Sequence, residues 1–374
     1  MSRLSSRLCW ALFSAMLPTA VLAQGVTATT ITLGQSAALT GNAAALGIEM
    51  KLGAEAYFES VNKKGGVNGR MIKLVTLDDG YEPERAKVNT QKLIQEQDVL
   101  ALFGYVGTPT SAASMPVFTA AKVPFIGAFT GANSLREPFN RYIFNVRASY
   151  FDETEAIVEH LTRLGIKRTA VFYQNDGYGQ AGLEGVERAM KKRNLAITGK
   201  ATVERNSVDV TAAVAALAKT DSQAVVIITA YKSSAAFTRA MKSAGAGAQF
   251  WNVSFVGSKA LSDELKADGR GVQISQVVPF PWSGGLPILR EYQSLVPADK
   301  ISFTTLEGFI AAKVMVAGLR AAGPKPDREK LVDGLAKLGT QDFGGFKVSF
   351  SPTNHNASSY VDLTIIAKDG QFKH

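Results

Sequence analysis

The sequence predicts an α/β protein: two doubly wound parallel-sheet lobes joined by a three-strand hinge. Three observations predict it. Apolar strand-like runs alternate with amphipathic helical stretches along the whole chain. A strand that runs straight into small hydroxyl residues occurs once in each half, at Val99–Ser114 and at Ala224–Phe237. Three stretches between the halves carry no helical period. Strand, helix, strand at this spacing means parallel pairing with right-handed crossovers.

The elements follow in order. Ile31–Leu39 reads as a strand and turn. The next helix has apolar residues at Ile48, Leu52, Ala56 and Val61, and Gly65-Gly66 stops it. A strand at Met71–Asp79, a helix at Pro83–Gln97, a strand at Leu100–Gly104, a helix, and a strand at Pro124–Phe129 complete the first half. The second half repeats the scheme: helix Ala156–Gly165, strand Thr169–Gln174, helix Gly182–Arg193, strand Ala196–Val203 and helix Val210–Thr220. Strand Ala224–Ala230, helix Phe237–Gly245 and strand Phe255–Ser258 follow. A long helix, Thr304–Gly323, then leads through Pro324 and Pro326 to a helix at Arg328–Leu338 and a last strand at Val361–Lys368.

The hydroxyl-bearing turns are where chemistry is expected. Thr108 is read as a helix N-cap with Pro109 at the first helical position, and Ser233 or Ser234 as its counterpart in the second half. Such turns offer free backbone N–H groups and hydroxyls, a setting that favours anions. Two similar halves facing each other predict a cleft that grips a small polar ligand.

Residues 1–23 read as an export signal. Arg3 and Arg7 are basic, Leu8–Leu17 is apolar, Pro18 breaks the run, and Val21-Leu22-Ala23 fits the small-residue cleavage rule. The apolar run is shorter than the ~18 residues a membrane helix needs. The expectation is an exported, periplasmic protein that is not inserted in the membrane. The only cysteine, Cys9, falls inside the signal, so no disulfide is expected after cleavage.

The formal charge of +9, or +7 without Arg3 and Arg7, is spread along helices. No arginine stripe with interleaved aromatics appears, so no nucleic-acid partner is expected. His160, His355 and His374 are scattered, and neither a metal nor a cofactor is expected. Gly177–Gly182 spells GxGxxG after an apolar run, which raises a nucleotide enzyme as a rival. Three residues separate that run from the first glycine, lengthening a turn that must be tight around pyrophosphate, and a plain strand–helix turn is the preferred reading. Gly257-Ser258-Lys259 lacks the second glycine of a nucleophile elbow. No catalytic residue is assigned. Tyr81 is read as a loop anchor and Phe129 as core, while Tyr105 divides between core and cleft. Trp282 is read as packing against the hinge, with stacking on an aromatic ligand as the alternative.

Crossings between lobes are placed near Arg147–Ala148, Val277–Val278 and Val348–Phe350. The first lobe is then residues 24–147 plus 279–349, and the second 148–278 plus 350–374. Several parallel crossings make a hinge that permits closure about a ligand.

ITLGQSAALTGNAAALG, VNKKGGVNG, LVTLDDGYEPERA, FGYVGTPTSAAS and VPFIGAFTGANSLR follow one another in an order that resembles type I periplasmic binding proteins. The branch is the leucine/isoleucine/valine-binding group serving ATP-binding-cassette importers. NDGYGQAG, ITAYKSSAAF and FVGSKAL extend the resemblance over nearly the whole chain. The resemblance implies the type I fold and a monomer. Its function would be to capture a small carboxylate-bearing ligand and deliver it to a membrane permease. A ligand-sensing receptor for a membrane partner is the alternative, and an exported enzyme is a further one.

By the same resemblance the ligand residues are Thr108, with Gly107 and Thr110 beside it, and Ala128 with Thr130. Leu46 stands where amino-acid binders carry tyrosine. Tyr178 and Tyr231 correspond to the second lobe's ligand-contacting tyrosines. Lys259 falls where the family places the acid that receives a ligand ammonium. A lysine there repels an ammonium, which turns the expectation towards an aromatic, keto or dicarboxylic acid. An amino acid stays open, with Asp263 or Glu264 by a shift of register, or Glu307 or Asp176, as the acid for its ammonium.

Overall fold

The computed structural model describes residues 24–374. The export signal expected over residues 1–23, with Cys9, lies outside the described residues.

The first lobe begins with β1 (Thr30–Ala37), α1 (Ala44–Asn62), β2 (Met71–Asp78), α2 (Pro83–Gln95) and β3 (Ala101–Phe103). It continues with α3 (Thr108–Ala120), β4 (Phe125–Ile126) and β5 (Ile143–Phe144). The strands form one parallel sheet in the order β2-β1-β3-β4-β5.

The second lobe runs α4 (Tyr150–Arg163), β6 (Thr169–Gln174), α5 (Gly177–Lys191), β7 (Lys200–Val203) and α6 (Thr211–Leu217). Then come β8 (Ala224–Ile228), α7 (Tyr231–Ser243), β9 (Gln249–Asn252), α8 (Ser258–Leu265) and β10 (Gln273–Gln276). β6 and β8 are buried along their whole length, as expected of apolar strands covered by helices on both faces.

The chain then returns to the first lobe through α9 (Pro287–Leu295) and α10 (Phe303–Ala321), which packs along α1. After α11 (Arg328–Ala336), β11 (Gly339–Asp342) and β12 (Lys347–Phe350) form a separate antiparallel pair. The chain ends with β13 (Asp362–Ile366) and β14 (Phe372–Lys373). The second sheet has the order β14-β13-β10-β9-β8-β6-β7. Its last two strands are antiparallel, an edge that the purely parallel expectation does not contain.

Two local readings differ from the expectation. Phe255–Ser258 is not a strand: the strand is β9, and Ser254–Val256 is a 3-10 turn that Gly257, in the left-handed region, hands on to α8. The third passage between sheets lies beyond β12. Asn356 is still bridged to Asn145, and Ala357 donates its N–H to the Asn145 carbonyl at 2.9 Å. The chain therefore changes lobe over residues 358–361.

The first passage ends at a well-made helix start. Ser149 accepts from the Asp152 N–H at 3.1 Å while Asp152 accepts from the Ser149 N–H at 2.9 Å, a reciprocal cap. Ser149→Ala is expected to cost about 1 kcal/mol, read as a lower urea midpoint at unchanged m-value.

Candidate functional site

The site is built where the starts of α3 and α5 meet. Gly107 turns the chain from β3 into α3 at φ +101°, and a Cβ there would sit 2.2 Å from Tyr81 Cε2. The helix starts at Thr108 itself, with Gly107 as a cap that contributes no side-chain bond. Thr108 is thus not the cap expected from the sequence. Its hydroxyl instead lies 2.6 Å from the Thr130 hydroxyl, and Thr130 in turn reaches the Tyr150 hydroxyl at 3.3 Å. The second-half turn departs in the same way. α7 starts at Tyr231 without a side-chain cap, while Ser233 donates to the Ser207 carbonyl and Ser234 to Asn252 Oδ1, each at 2.7 Å.

From the second lobe, Asp176 caps α5 by accepting from the Tyr178 N–H at 3.0 Å and the Gly179 N–H at 3.4 Å. A Cβ on Gly177 would be 3.9 Å from Thr108 Cγ2, so the two helix starts face each other directly. Both direct partial positive charge into the same space. The glycines of the GxGxxG stretch have a packing role here. A Cβ on Gly179 would stand 1.8 Å from the Gln174 carbonyl oxygen. Gly179→Ala is expected to destabilise by about 2–3 kcal/mol, measured by thermal or urea unfolding.

The lobes are closed on each other. Asn42 Nδ2 donates to the Asn206 carbonyl at 2.6 Å, and Asn206 Nδ2 to the Gly80 carbonyl at 3.0 Å. Arg205 pairs with Glu82 across the gap at 3.0 Å and with Asp176 at 3.3 Å. Gln174 Nε2 donates to the Tyr81 hydroxyl at 3.2 Å. Between these contacts lies an aromatic cluster: Phe255 packs on Tyr81, Phe129 and Tyr178 with ring centroids 5.9, 5.3 and 4.6 Å apart. Tyr178 also packs on Tyr150 at 5.3 Å. Burial pushes the Tyr81 and Tyr178 hydroxyls well up, and Tyr150 up to about 12.

Of the residues carried over by resemblance, Thr108, Thr130, Gly107 and Tyr178 gather at this junction. Ala128 is buried beside them, its carbonyl accepting from the Thr130 N–H at 2.9 Å. Leu46 crosses to the second lobe, its Cδ2 2.3 Å from where a Gly257 Cβ would stand. Tyr231 is buried with its hydroxyl at the Ala45 backbone. Thr110 is buried too, but its hydroxyl donates back to the Val106 and Gly107 carbonyls. Lys259 stands apart. It is paired with Asp263 at 2.7 Å and lines an outer groove of about 750 Å³ with Trp282, Phe280 and Ile301. The residue before it, Ser258, is buried and bonded to Gln276 of β10, while Lys259 lies at the rim.

Sequence reasoning weighed Tyr81 as an anchor, and it is one, buried and bonded to Gln174 from the other lobe. Phe129, read as core, is buried against Phe255 at the junction of the lobes. Tyr105 belongs to the first lobe's core, edge-on to Phe125 and 2.9 Å from the Thr90 hydroxyl. Trp282 is 40% exposed and stacks on Phe372.

Sequence reasoning named Glu307 only as an alternative acid for a ligand ammonium and missed the buried charge cluster it forms with Arg147 and Glu153 beneath the aromatics. Arg147 Nη2 donates to Glu153 Oε1 at 2.9 Å and to the Ser254 hydroxyl. Glu307 on α10 lies 3.3 Å from Arg147 Nη1. The guanidinium also sits over the rings of Phe129 and Tyr150, at 5.2 and 5.8 Å. Burial pulls the guanidinium down, and Glu307 and Glu153 more than offset it, leaving it raised. Burial pushes Glu307 up to about 7 against the pull of Arg147. The available signal was a lone arginine in the apolar stretch Phe144–Ala148 and a lone glutamate in an otherwise apolar helix turn.

Among the described residues no group of three or more His, Cys, Asp or Glu is placed to hold a metal ion, and no helix is long and apolar enough to cross a membrane.

A family model described as "Periplasmic binding protein" matches residues 30–371. A structure from Rhodopirellula baltica, described as a possible leucine/isoleucine/valine-binding protein, is 35% identical with a TM-score of 0.88, covering 92% of this chain and 96% of its own. A substrate-binding periplasmic protein from Ralstonia solanacearum is 32% identical with a TM-score of 0.86, covering 91% and 99%. An amino acid binding protein from Pseudomonas aeruginosa is 24% identical over 340 residues, 88% of this chain and 89% of its own. With that model matched over nearly the whole described chain and two parallel-sheet lobes closed over facing helix starts, the chain belongs to the periplasmic binding protein family.

Proposed function

We propose that this protein is an exported solute-binding protein that captures a small carboxylate-bearing ligand between its lobes and delivers it to an ATP-binding-cassette permease. The observation that carries the reading is the pair of hydroxyls, Thr108 and Thr130, set 2.6 Å apart where the starts of α3 and α5 converge. Hydroxyls, first-turn N–H groups and two helix dipoles all favour an anion. Each charge-assisted hydrogen bond contributes about 1.5–3 kcal/mol, so three or four suffice for micromolar binding, roughly −8 kcal/mol, after ordering costs.

The first lobe receives the acid and the second closes over it with Tyr178 and Tyr231. The three passages near Arg147–Ala148, Val277–Val278 and residues 358–361 act as the hinge. Closure places faces of both lobes in one orientation for the permease. The aromatic wall of Phe255, Phe129 and Tyr178 favours an apolar or aromatic body on the acid. Lys259, held at the rim by Asp263, does not decide between an amino acid and a simple acid.

Thermal-shift screening with benzoate, hexanoate, 4-methyl-2-oxopentanoate, succinate and L-leucine tests the reading. At least one of these acids is expected to raise Tm in a concentration-dependent way; one present at a hundred times its Kd adds about 2.7 kcal/mol. No shift with any of them, alongside a shift with neutral or cationic solutes, overturns it.

A further inference from the structure

We propose that Arg147 is the specificity-determining residue of the cleft: its guanidinium and the Tyr178 hydroxyl receive the ligand carboxylate, and Glu307 yields its place beside Arg147 by taking up a proton. The inference rests on the carboxylate reading above and names what enforces it.

The donors around Arg147 do not balance. A guanidinium has five N–H donors in a fixed fork, and this one is 2% exposed. Only Nη2 is hydrogen-bonded, to Glu153 and Ser254. Nε has no hydrogen-bond partner, and Nη1 faces only Glu307, at 3.3 Å. The Tyr178 hydroxyl, fully buried, has none either. Buried donors without partners are costly, and here they belong to two side chains that both pack on the Tyr150 ring. The Tyr150 hydroxyl continues to Thr130 and Thr108. Unspent donors therefore adjoin the hydroxyl pair already assigned to an anion.

The two acids beside Arg147 are not equivalent. Glu153 is fully engaged: Oε1 accepts from Arg147, and Oε2 accepts from the Ser254 N–H at 2.7 Å and the Ser275 hydroxyl at 2.6 Å. Glu307 is held by a single contact, to Arg147 Nη1 at 3.3 Å. Glu153 is the structural partner, and Glu307 is the one that can be displaced.

Charge then dictates the proton. The groups facing Glu307 are Arg147 from the first passage, Arg136 from the connection between β4 and β5, and Glu153 from α4. On neighbouring turns, Glu49 of α1 accepts from Ser302, and Lys313 of α10 pairs with Glu291 of α9. Tyr150 and Tyr178 stay neutral. With Glu307 ionised, two arginines against two glutamates leave the cluster neutral, so an entering carboxylate adds one uncompensated buried charge. Protonating Glu307 removes it, and burial already holds this carboxyl up at about 7. A group whose proton affinity rises on binding takes up a proton above its free value. Binding is therefore expected to weaken as pH rises from 7 to 9, approaching tenfold per unit, and to be flat below 6.

Calorimetric titration of wild type with the five acids of the panel, at pH 6, 7, 8 and 9 in HEPES and in Tris, tests it. The bound acid is expected to take up close to one proton at pH 8. Glu307→Gln is expected to abolish both the uptake and the pH dependence while binding persists. Tyr178→Phe is expected to weaken the acid about tenfold and Arg147→Lys by more. Should Arg147→Lys fail to fold, the Glu307 and Tyr178 variants still decide. Binding of an acid with no proton uptake and flat affinity overturns the inference and leaves the carboxylate reading standing, as does unchanged affinity in Tyr178→Phe. If none of the five acids binds wild type while a neutral or cationic solute does, both fall together.

Discussion

Glu153→Ala is expected to destabilise the protein by about 3–5 kcal/mol, the largest stability effect of any single carboxylate substitution considered. Glu153 is fully buried and joins three segments: Arg147 from the first passage, Ser254 from the turn after β9, and Ser275 on β10. Its removal leaves a buried guanidinium facing only Glu307, the situation in which breaking a buried pair costs most. The loss is also pH-dependent in a defined direction. Glu307 carries a raised proton affinity through burial, so its contribution is present below its ordinary carboxylate range and declines as pH rises through about 7. Wild type is therefore expected to lose stability between pH 6 and pH 8 through this group, and Glu307→Gln to remove that slope. Urea unfolding at pH 6 and pH 8 measures both.

Thr108→Val is expected to weaken any carboxylate ligand about 10- to 150-fold, the equivalent of one lost charge-assisted hydrogen bond. Thr130→Val is expected to do the same, and the double variant less than the sum, because the two hydroxyls already bond each other. Thr110→Val provides the contrast: its hydroxyl is turned to the Val106 and Gly107 carbonyls, so its effect is expected on stability rather than on affinity. Calorimetry on the folded variants separates the two outcomes.

The fold was legible because both periods were clean. Apolar runs such as Ala224–Ile228 are buried along their length, and helices such as α4, α5 and α7 carry an apolar stripe on one side. Elements set by turn chemistry were read less well. Thr108 and the serines of the second half look like caps by residue type, yet backbone geometry takes that role. Gly107 makes the first turn through a positive φ, and Ala230 precedes the second in an extended conformation. The edge strands β13 and β14 reverse direction, which no local pattern announces.

On the first lobe the candidate residues Thr108 and Thr130 meet as the sequence reading expected, because each follows a strand by a short turn. The second lobe was less legible. Lys259, on the first turn of α8, lies at the rim, where Asp263 one turn on holds it. Arg147, Glu153 and Glu307 are separated by up to 160 positions in sequence and meet only through the hinge. Their pairing is a product of topology, and nothing in their local spacing encodes it.

The central claim is that two lobes close on a small acid, and the distance between them tests it most directly. Cys9, the only cysteine in the chain, lies in the segment read as the export signal, so label sites can be introduced freely. Spin labels at Glu84→Cys on α2 and Glu204→Cys after β7, both exposed, report the separation by pulsed dipolar spectroscopy. The expected result is a broad distribution that narrows to the short distance when a panel acid is added. An unchanged distribution in the presence of an acid that calorimetry shows to be bound contradicts it.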